Sequence, residues 1–93
     1  MSNQNSYATV KKQYFKTLKQ FVPIVERVHG SHHPEFYEVR KLFDVIVKEE
    51  SALDSVFEKL REVTDNYTVP TDVCESYEAV YKMLEALDTA YHK

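Results

Sequence analysis

Glycine and proline are scarce in this 93-residue chain, which has one glycine and three prolines. These two residues are the strongest local signals for turns and helix ends, so each of them is informative. Gly30 and Pro70 divide the chain into three segments, and Pro23 falls inside the first. The sequence shows neither a strict apolar and polar alternation nor a hairpin turn, and so gives no reason to expect a strand. The chain is therefore predicted to be all-α.

Other absences exclude several classes of protein. Cys74 is the only cysteine, so an internal disulphide cannot form, and we assign the thiol no chemistry because lone cysteines are commonly small buried hydrophobes. No apolar run approaches the ~20 residues of a membrane helix, and the polar N-terminus has no signal-peptide core, so we expect a cytoplasmic protein that does not enter a membrane. The net charge is −3, and Lys11-Lys12 and Arg40-Lys41 are the only adjacent basic pairs, which argues against nucleic acid binding.

The first segment has a helical period. Its apolar residues recur at spacings of three, four and seven, which predicts a first helix over about residues 6–30. Pro23 removes one backbone donor inside this helix, so we expect either a kink or a restart with Pro23 in a first turn. Gly30 is expected to end the helix in the left-handed conformation.

The middle segment carries one uninterrupted apolar seam, and Pro34 is well placed for the first turn of its helix. Ten positions alternate by three and four without a slip: Phe36, Val39, Phe43, Ile46, Glu50, Leu53, Phe57, Leu60, Thr64 and Tyr67. This seam predicts one continuous helix over about residues 34–66. The alternative is a break near Ser51, which could cap a new helix with Asp54 at its third position.

The last segment follows a connection around Pro70. Asp72, with Glu75 three residues later, forms a capping-box-like start, and an apolar stripe follows, so a last helix is predicted over about residues 72–92. All three helices belong to one domain, residues 1–93. A domain this small buries a modest fraction of its surface, so a monomer would be marginally stable.

Two turn segments resemble those of a known family. Residues 25–35 read VERVHGSHHPE, and residues 60–74 read LREVTDNYTVPTDVC. They resemble turn motifs in the C-terminal domain of the iron-sulphur cluster repair di-iron proteins, which belong to the hemerythrin-like group, and residues 77–87 continue the match. The resemblance implies an antiparallel, hemerythrin-like bundle that holds two irons between four helices.

Most of the iron ligands that the resemblance implies are missing. His29 matches a ligand histidine, Glu49 matches a bridging carboxylate, and Glu50 lies where another histidine would fall if family helices 2 and 3 were spliced. Ala8 stands where an earlier histidine is expected, and the last two ligands would lie beyond Lys93. Three candidate ligands cannot close a di-iron site, so we expect no cofactor, with a bound iron or zinc ion as the alternative.

The candidate ligands also have ordinary structural interpretations. A histidine at a helix end is more often solvent-facing than bound to a metal. His29, His32 and His33 are spaced so that they could approach a zinc or nickel ion, but Gly30 breaks the helical face between them. Glu50 on an apolar seam could instead fix the register of associated helices.

The fused central helix predicts a homodimer with three helices in each chain. It would leave Phe43, Ile46, Leu53 and Phe57 exposed on a half-bundle, and such an apolar stripe marks an interface. Two antiparallel chains would cover the stripe, complete two four-helix bundles and bring Glu50 of both chains to the middle.

The sequence does not predict an enzyme, because it contains no nucleophile with an adjacent base and no phosphate-binding glycine-rich loop. The leading hypothesis is a degenerate hemerythrin-like module that dimerises or binds a protein partner, linked to iron-sulphur cluster repair or stress response. The alternative is a residual iron- or zinc-binding protein of the nitrosative or oxidative stress response. The metal content of the purified protein separates the two.

Overall fold

The computed structural model of this protein describes residues 6–48 and 52–92. Four helices account for its regular secondary structure: α1 Ser6–His29, α2 Glu35–Lys48, α3 Leu53–Val63 and α4 Glu75–Tyr91. Neither of the two ranges contains a strand, and none of their helices is both long and apolar enough to cross a membrane. The predicted all-α class is confirmed.

The first and last helices run antiparallel along each other. Tyr7, near the start of α1, contacts Tyr91 at the end of α4, with ring centroids 5.5 Å apart. At the opposite end of the bundle, His29 closes α1 and contacts Tyr77 in the first turn of α4, again at 5.5 Å. These two contacts fix the direction of α4 relative to α1.

The middle helices complete an antiparallel four-helix bundle. α2 runs opposite to α1, because Arg40 pairs with Glu26 at 2.6 Å while Phe43, later in α2, packs against Phe15, earlier in α1, at 5.7 Å. α2 also contacts α3, and side chains of α3 meet α4. One chain therefore supplies all four helices of the bundle.

Apolar and aromatic side chains fill the interior of the bundle. Twelve side chains from all four helices are less than 2% exposed: Tyr77, Tyr81, Phe36, Phe57, Leu18, Ile46, Leu60, Leu84, Leu87, Val22, Val25 and Val39. Full burial of a side chain of this kind stabilises the fold by roughly 1.5–3 kcal/mol. Among the described residues, only Thr64 and Asp88 are buried polar or charged side chains.

The prediction of one helix over about residues 34–66 is wrong. α2 ends at Lys48, α3 begins at Leu53, and the two helices contact each other, which the halves of one straight helix cannot do. Core-facing side chains recur every three or four residues both before and after the reversal, so the pattern looked continuous. Ser51, the alternative break point, lies outside the described residues.

Four residues predicted to form a dimer interface are core residues of the single chain. Phe43 and Leu53 are 3% and 4% exposed, and Ile46 and Phe57 are fully buried. Because α3 folds back on α2, the chain covers its own apolar seam, and these side chains are not available to a second copy. Glu50, the fifth predicted interface residue, lies outside the described residues.

The capping box predicted at the start of the last helix does not form. α4 begins at Glu75, and Cys74 occupies its N-cap position without a side-chain cap hydrogen bond. Asp72 instead pairs with His33 in the turn between α1 and α2, at 3.1 Å. A tertiary contact with His33 takes the place of the local cap hydrogen bond, and spacing along the chain could not reveal this contact.

Three consecutive residues after α3 have left-handed backbone conformations: Asp65, Asn66 and Tyr67, with φ values of 54°, 58° and 62°. Such values are unusual for a bulky residue such as tyrosine. Tyr67 is held there because its N–H donates to Thr64 Oγ1 at 2.8 Å and its hydroxyl donates to Asp88 Oδ2 at 2.7 Å. Burial, followed by this bond to Asp88, raises the pKa of the Tyr67 hydroxyl, which therefore remains a donor.

Asp88 also joins the end of α4 to α3. Arg61 Nε lies 3.0 Å from Asp88 Oδ2, so the two side chains form an ion pair. The Arg61 Nε–H is not aligned well enough to make a hydrogen bond. His92 Nδ1 lies 2.8 Å from Asp88 Oδ1, and its Nε2 lies 2.9 Å from Asp54 Oδ1 at the start of α3. The buried carboxylate thus organises this end of the bundle.

Gly30 is required by close packing and not by the left-handed backbone predicted for it. Its φ is not positive. A Cβ at this position would lie 2.5 Å from the Glu26 carbonyl oxygen and 2.7 Å from the Tyr37 ring, closer than real Cβ atoms approach other atoms. The turn between α1 and α2 therefore leaves no room for a side chain here.

Replacing Gly30 with alanine should lower the free energy of unfolding by about 1–3 kcal/mol, because the new methyl group must displace the backbone or the Tyr37 ring. Urea denaturation measures the effect, with Ser31→Ala at the exposed neighbouring position as the control. A loss for Gly30→Ala no larger than that for Ser31→Ala would contradict this account of the turn.

The contacts of His92 should make stability depend on pH. The hydrogen bond to Asp54, followed by contacts to Asp88, raises the pKa of His92 above its ordinary value of 6.5. The stabilisation is therefore complete below about pH 6.5 and is lost as the pH rises through the raised pKa. Because the side chain is exposed, the effect should stay below about 1 kcal/mol.

Urea unfolding near pH 6 and pH 8.5 measures this effect. Between those two values the wild type should lose more stability than His92→Gln, whereas His32→Gln, a change at another exposed histidine, should behave as the wild type does. Equal losses in the wild type and in His92→Gln would show that the pairing with Asp54 and Asp88 does not stabilise the fold.

Candidate functional site

A group of polar side chains lies at one end of the bundle, where the turn between α1 and α2 meets the connection between α3 and α4. Antiparallel packing brings the end of α1 beside the start of α4, so residues far apart in the chain become neighbours. We call this group the turn cluster, and its members are His29, His33, Glu35, Asp72, Cys74 and Tyr77.

His33 holds the two connecting segments together. Its Nε2 lies 3.1 Å from Asp72 Oδ1, and its Nδ1 lies 3.3 Å from Glu35 Oε2. The His33 side chain is only 14% exposed, and the edge of its ring faces Tyr77 with centroids 5.4 Å apart. One imidazole between two carboxylates therefore links the first turn, the start of α2 and the segment before α4.

Two tyrosines of α4 extend this network into the core. The Tyr77 hydroxyl donates to Glu35 Oε2 at 3.1 Å and lies 3.1 Å from the Tyr81 hydroxyl. Burial is the main cause that raises the pKa of Tyr77, and the neighbouring Tyr81 and Glu35 raise it further. Burial also raises the pKa of Tyr81. Both hydroxyls therefore stay protonated at neutral pH and act as hydrogen-bonding groups, not as phenolate bases.

His29 and Cys74 make the second contact of the turn cluster. His29 Nε2 lies 3.2 Å from Cys74 Sγ, and Cys74 is exposed. The His29 ring stands edge-on to Tyr77, which orients it. One nitrogen and one sulphur donor at this separation are the types of ligand that zinc prefers, but they make up half of a tetrahedral set.

The sequence interpretation missed Cys74 as a site residue. It lies 45 positions from His29, and spacing arguments reach only a few turns of one helix. One signal was available, because His29 lies in the first of the two family-like turn motifs and Cys74 ends the second. Motifs that form the two connections at one end of a bundle are expected to meet.

Only one of the three predicted metal ligands lies in the part of the chain that the structure describes. His29 is at the end of α1 and contacts Cys74, whereas Glu49 and Glu50 lie outside the described residues. Of the other histidines, His32 is exposed, with Nδ1 3.4 Å from Ser31 Oγ.

The described side chains do not fit a di-iron group. In bundle proteins of that kind, histidines and carboxylates project into the interior from all four helices. Here apolar and aromatic side chains occupy the interior, and His29 lies at one end. Within residues 6–48 and 52–92, no three His, Cys, Asp or Glu side chains are placed to hold one metal ion.

Similarity to a known protein is distant. No family model and no solved structure matches the chain. The chain is 22% identical to the iron-sulfur cluster repair protein ScdA of Staphylococcus haemolyticus (strain JCSC1435) over 128 residues, which cover 97% of this chain and 58% of that protein. This chain therefore spans less than three fifths of the length of ScdA. The aligned stretch of 128 residues is longer than the 93-residue chain, so within that stretch ScdA has residues that this chain lacks.

Proposed function

We propose that this chain is a shortened, hemerythrin-like bundle that acts in the cytoplasm by binding another protein, in iron-sulphur cluster repair or in a stress response, and that it catalyses no reaction. The observation that carries the proposal is the apolar interior of the bundle. Apolar and aromatic side chains occupy the interior in place of the side chains that would hold metals in such a bundle. A scaffold of this kind is stable without a cofactor, and its function then depends on its surface.

The similarity to ScdA supports the link to repair, because that protein is named for iron-sulfur cluster repair. The short lengths of α2 and α3 support the proposal that the bundle is a shortened one. α2 and α3 have 14 and 11 residues, against 24 in α1, so a deletion around the reversal between them fits the shorter chain. That reversal is where the family resemblance places ligands. Self-association stays within the proposal, but it must use a surface other than the buried seam.

Iron analysis tests this function. Protein purified without a histidine tag from iron-supplemented cells should contain no stoichiometric iron, and a chelator should leave the free energy of unfolding unchanged, because no metal-binding energy contributes to folding. Elemental analysis and urea denaturation with and without chelator measure both. Two irons per chain, with stability lost on chelation, would rule the proposal out.

The contact between His29 and Cys74 favours a second candidate function, the binding of one zinc or iron ion. His29 Nε2 and Cys74 Sγ are 3.2 Å apart, and zinc is commonly bound by four nitrogen and sulphur ligands in a tetrahedron. The missing donors would come from a second chain or from a partner protein. In this case metal binding would couple to association.

Zinc titration against a chromophoric chelator tests the second candidate. Cys74→Ser and His29→Gln should each weaken zinc binding at least about tenfold, because each removes one of two donors. His32→Gln, at a nearby exposed histidine outside the pair, should not. Sedimentation should show that zinc promotes dimers of the wild type. Equal zinc affinity in the wild type and in the double variant Cys74→Ser/His29→Gln would exclude this site.

A further inference from the structure

Charge is distributed unevenly along the chain. All fifteen Asp and Glu residues occur from Glu26 onward, whereas four of the twelve Lys and Arg residues precede it. Those four are Lys11, Lys12, Lys16 and Lys19, all in α1 and all before Pro23. A protein with net charge −3 thus carries a wholly basic segment on one helix.

The four lysines line a shallow groove along α1. Residues spaced by three, four and seven share one side of a helix, and here that side also includes one small and one aromatic residue. We call it the lysine groove, and the described residues that line it are Ala8, Lys11, Lys12, Phe15, Lys16 and Lys19. No carboxylate of the described residues is among them.

The floor of the lysine groove is apolar and fixed in position. Phe15 is partly buried and packs against Phe43 of α2, with ring centroids 5.7 Å apart. The Lys11 ammonium lies over the Phe15 ring, 5.2 Å from its centroid. Ala8 is exposed and lines the same groove with a small side chain. Lysine stems add apolar surface while their charged ends stay in water.

We propose that the lysine groove docks an acidic amphipathic segment of a partner protein, which places an apolar side chain beside Phe15 and carboxylates against Lys12, Lys16 and Lys19. This inference rests on the proposed function as a protein-binding module. Among the described residues that line the groove, every charged side chain is a lysine, so the complementary partner is acidic.

The lysines and the apolar floor of the groove would contribute to binding in different ways. Exposed ion pairs each contribute little to affinity, so lysines alone would not hold a partner. They speed the encounter and reject basic segments. Binding energy must come from an apolar side chain buried against the floor, in the way that a central anchor dominates many protein interfaces.

Other anionic surfaces fit the lysine groove less well. A bilayer is bound by a helix whose apolar face enters the lipid, but the apolar face of α1, with Leu18, Val22 and Val25, is buried in the core. Nucleic acid is bound by proteins that neutralise many phosphates along a continuous surface, and beyond the groove the chain is acidic. A protein segment needs only the length of about three helical turns.

Fluorescence anisotropy with a synthetic probe tests the proposal. The probe is a labelled 12-residue amphipathic peptide with one central leucine and two glutamates on each side of it. We expect the wild type to bind it, with an affinity that falls as salt rises. Lys16→Glu/Lys19→Glu should weaken binding at least about tenfold, because it replaces attraction with repulsion.

Two matched controls separate the groove from net charge. Lys41→Glu/Lys82→Glu changes the net charge by the same amount at exposed positions in α2 and α4 outside the groove, and it should bind as the wild type does. Ala8→Phe should fill the floor and weaken binding, whereas Thr9→Phe, at the exposed next position, should not. Circular dichroism confirms that each variant folds.

The outcomes are distinct. Binding of the lysine-containing version of the peptide by Lys16→Glu/Lys19→Glu, but not by the wild type, would support the proposal further. No binding by the wild type, equal losses in the two charge-reversal variants, equal affinity for a peptide with alanine in place of leucine, or preferential binding of phosphatidylglycerol vesicles would each overturn it. The iron analysis is independent, so a failure here leaves the protein-binding function to another surface, and a di-iron result leaves the peptide measurement intact.

Discussion

The packing of α3 back against α2 is the constraint on which the rest of the structure depends. It brings the second half of the apolar seam, with Leu53 and Phe57, into the same interior as Phe43 and Ile46. Among the described residues, the interior is then filled mainly by apolar and aromatic side chains. The reversal also sends α3 towards the segment before α4, and so places that segment beside the turn between α1 and α2.

The helical period predicted most of the core side chains, although Val28 and Tyr91 of the predicted stripes are exposed, and it did not predict the path of the chain between them. α1 and the stripe of α4 follow from spacing alone, since a period of 3.6 residues has one interpretation over that length. The reversal between α2 and α3 preserves the period, so it left no trace in the pattern. Gly30 was recognised as a boundary for the wrong physical reason. Its role depends on the Tyr37 ring, which lies in a different helix.

Contacts in the turn cluster could be predicted only where the family-like motifs drew attention to them. His33 and Asp72 are 39 positions apart, and no rule of local spacing connects them. Asp72 shows how a tertiary contact can override a local signal, because its position suits a helix cap, yet in the folded chain its carboxylate contacts the His33 ring. Likewise, nothing in the sequence marks Tyr67 as left-handed. Its hydrogen bond to the buried Asp88 imposes that conformation.

Polar clusters at both ends of an apolar bundle explain how so short a chain can hold four helices in place. The two shortest are α2 and α3, with 14 and 11 residues, and polar contacts hold their ends in addition to the five and four side chains that they bury. His33 with Asp72 and Glu35 fixes the start of α2 at one end, and Asp88 with its partners fixes α3 at the other. These polar side chains contact one another at the two ends of the bundle. Between these ends, the stretch of α1 from Lys11 to Lys19 is basic, whereas the rest of the chain carries a net negative charge.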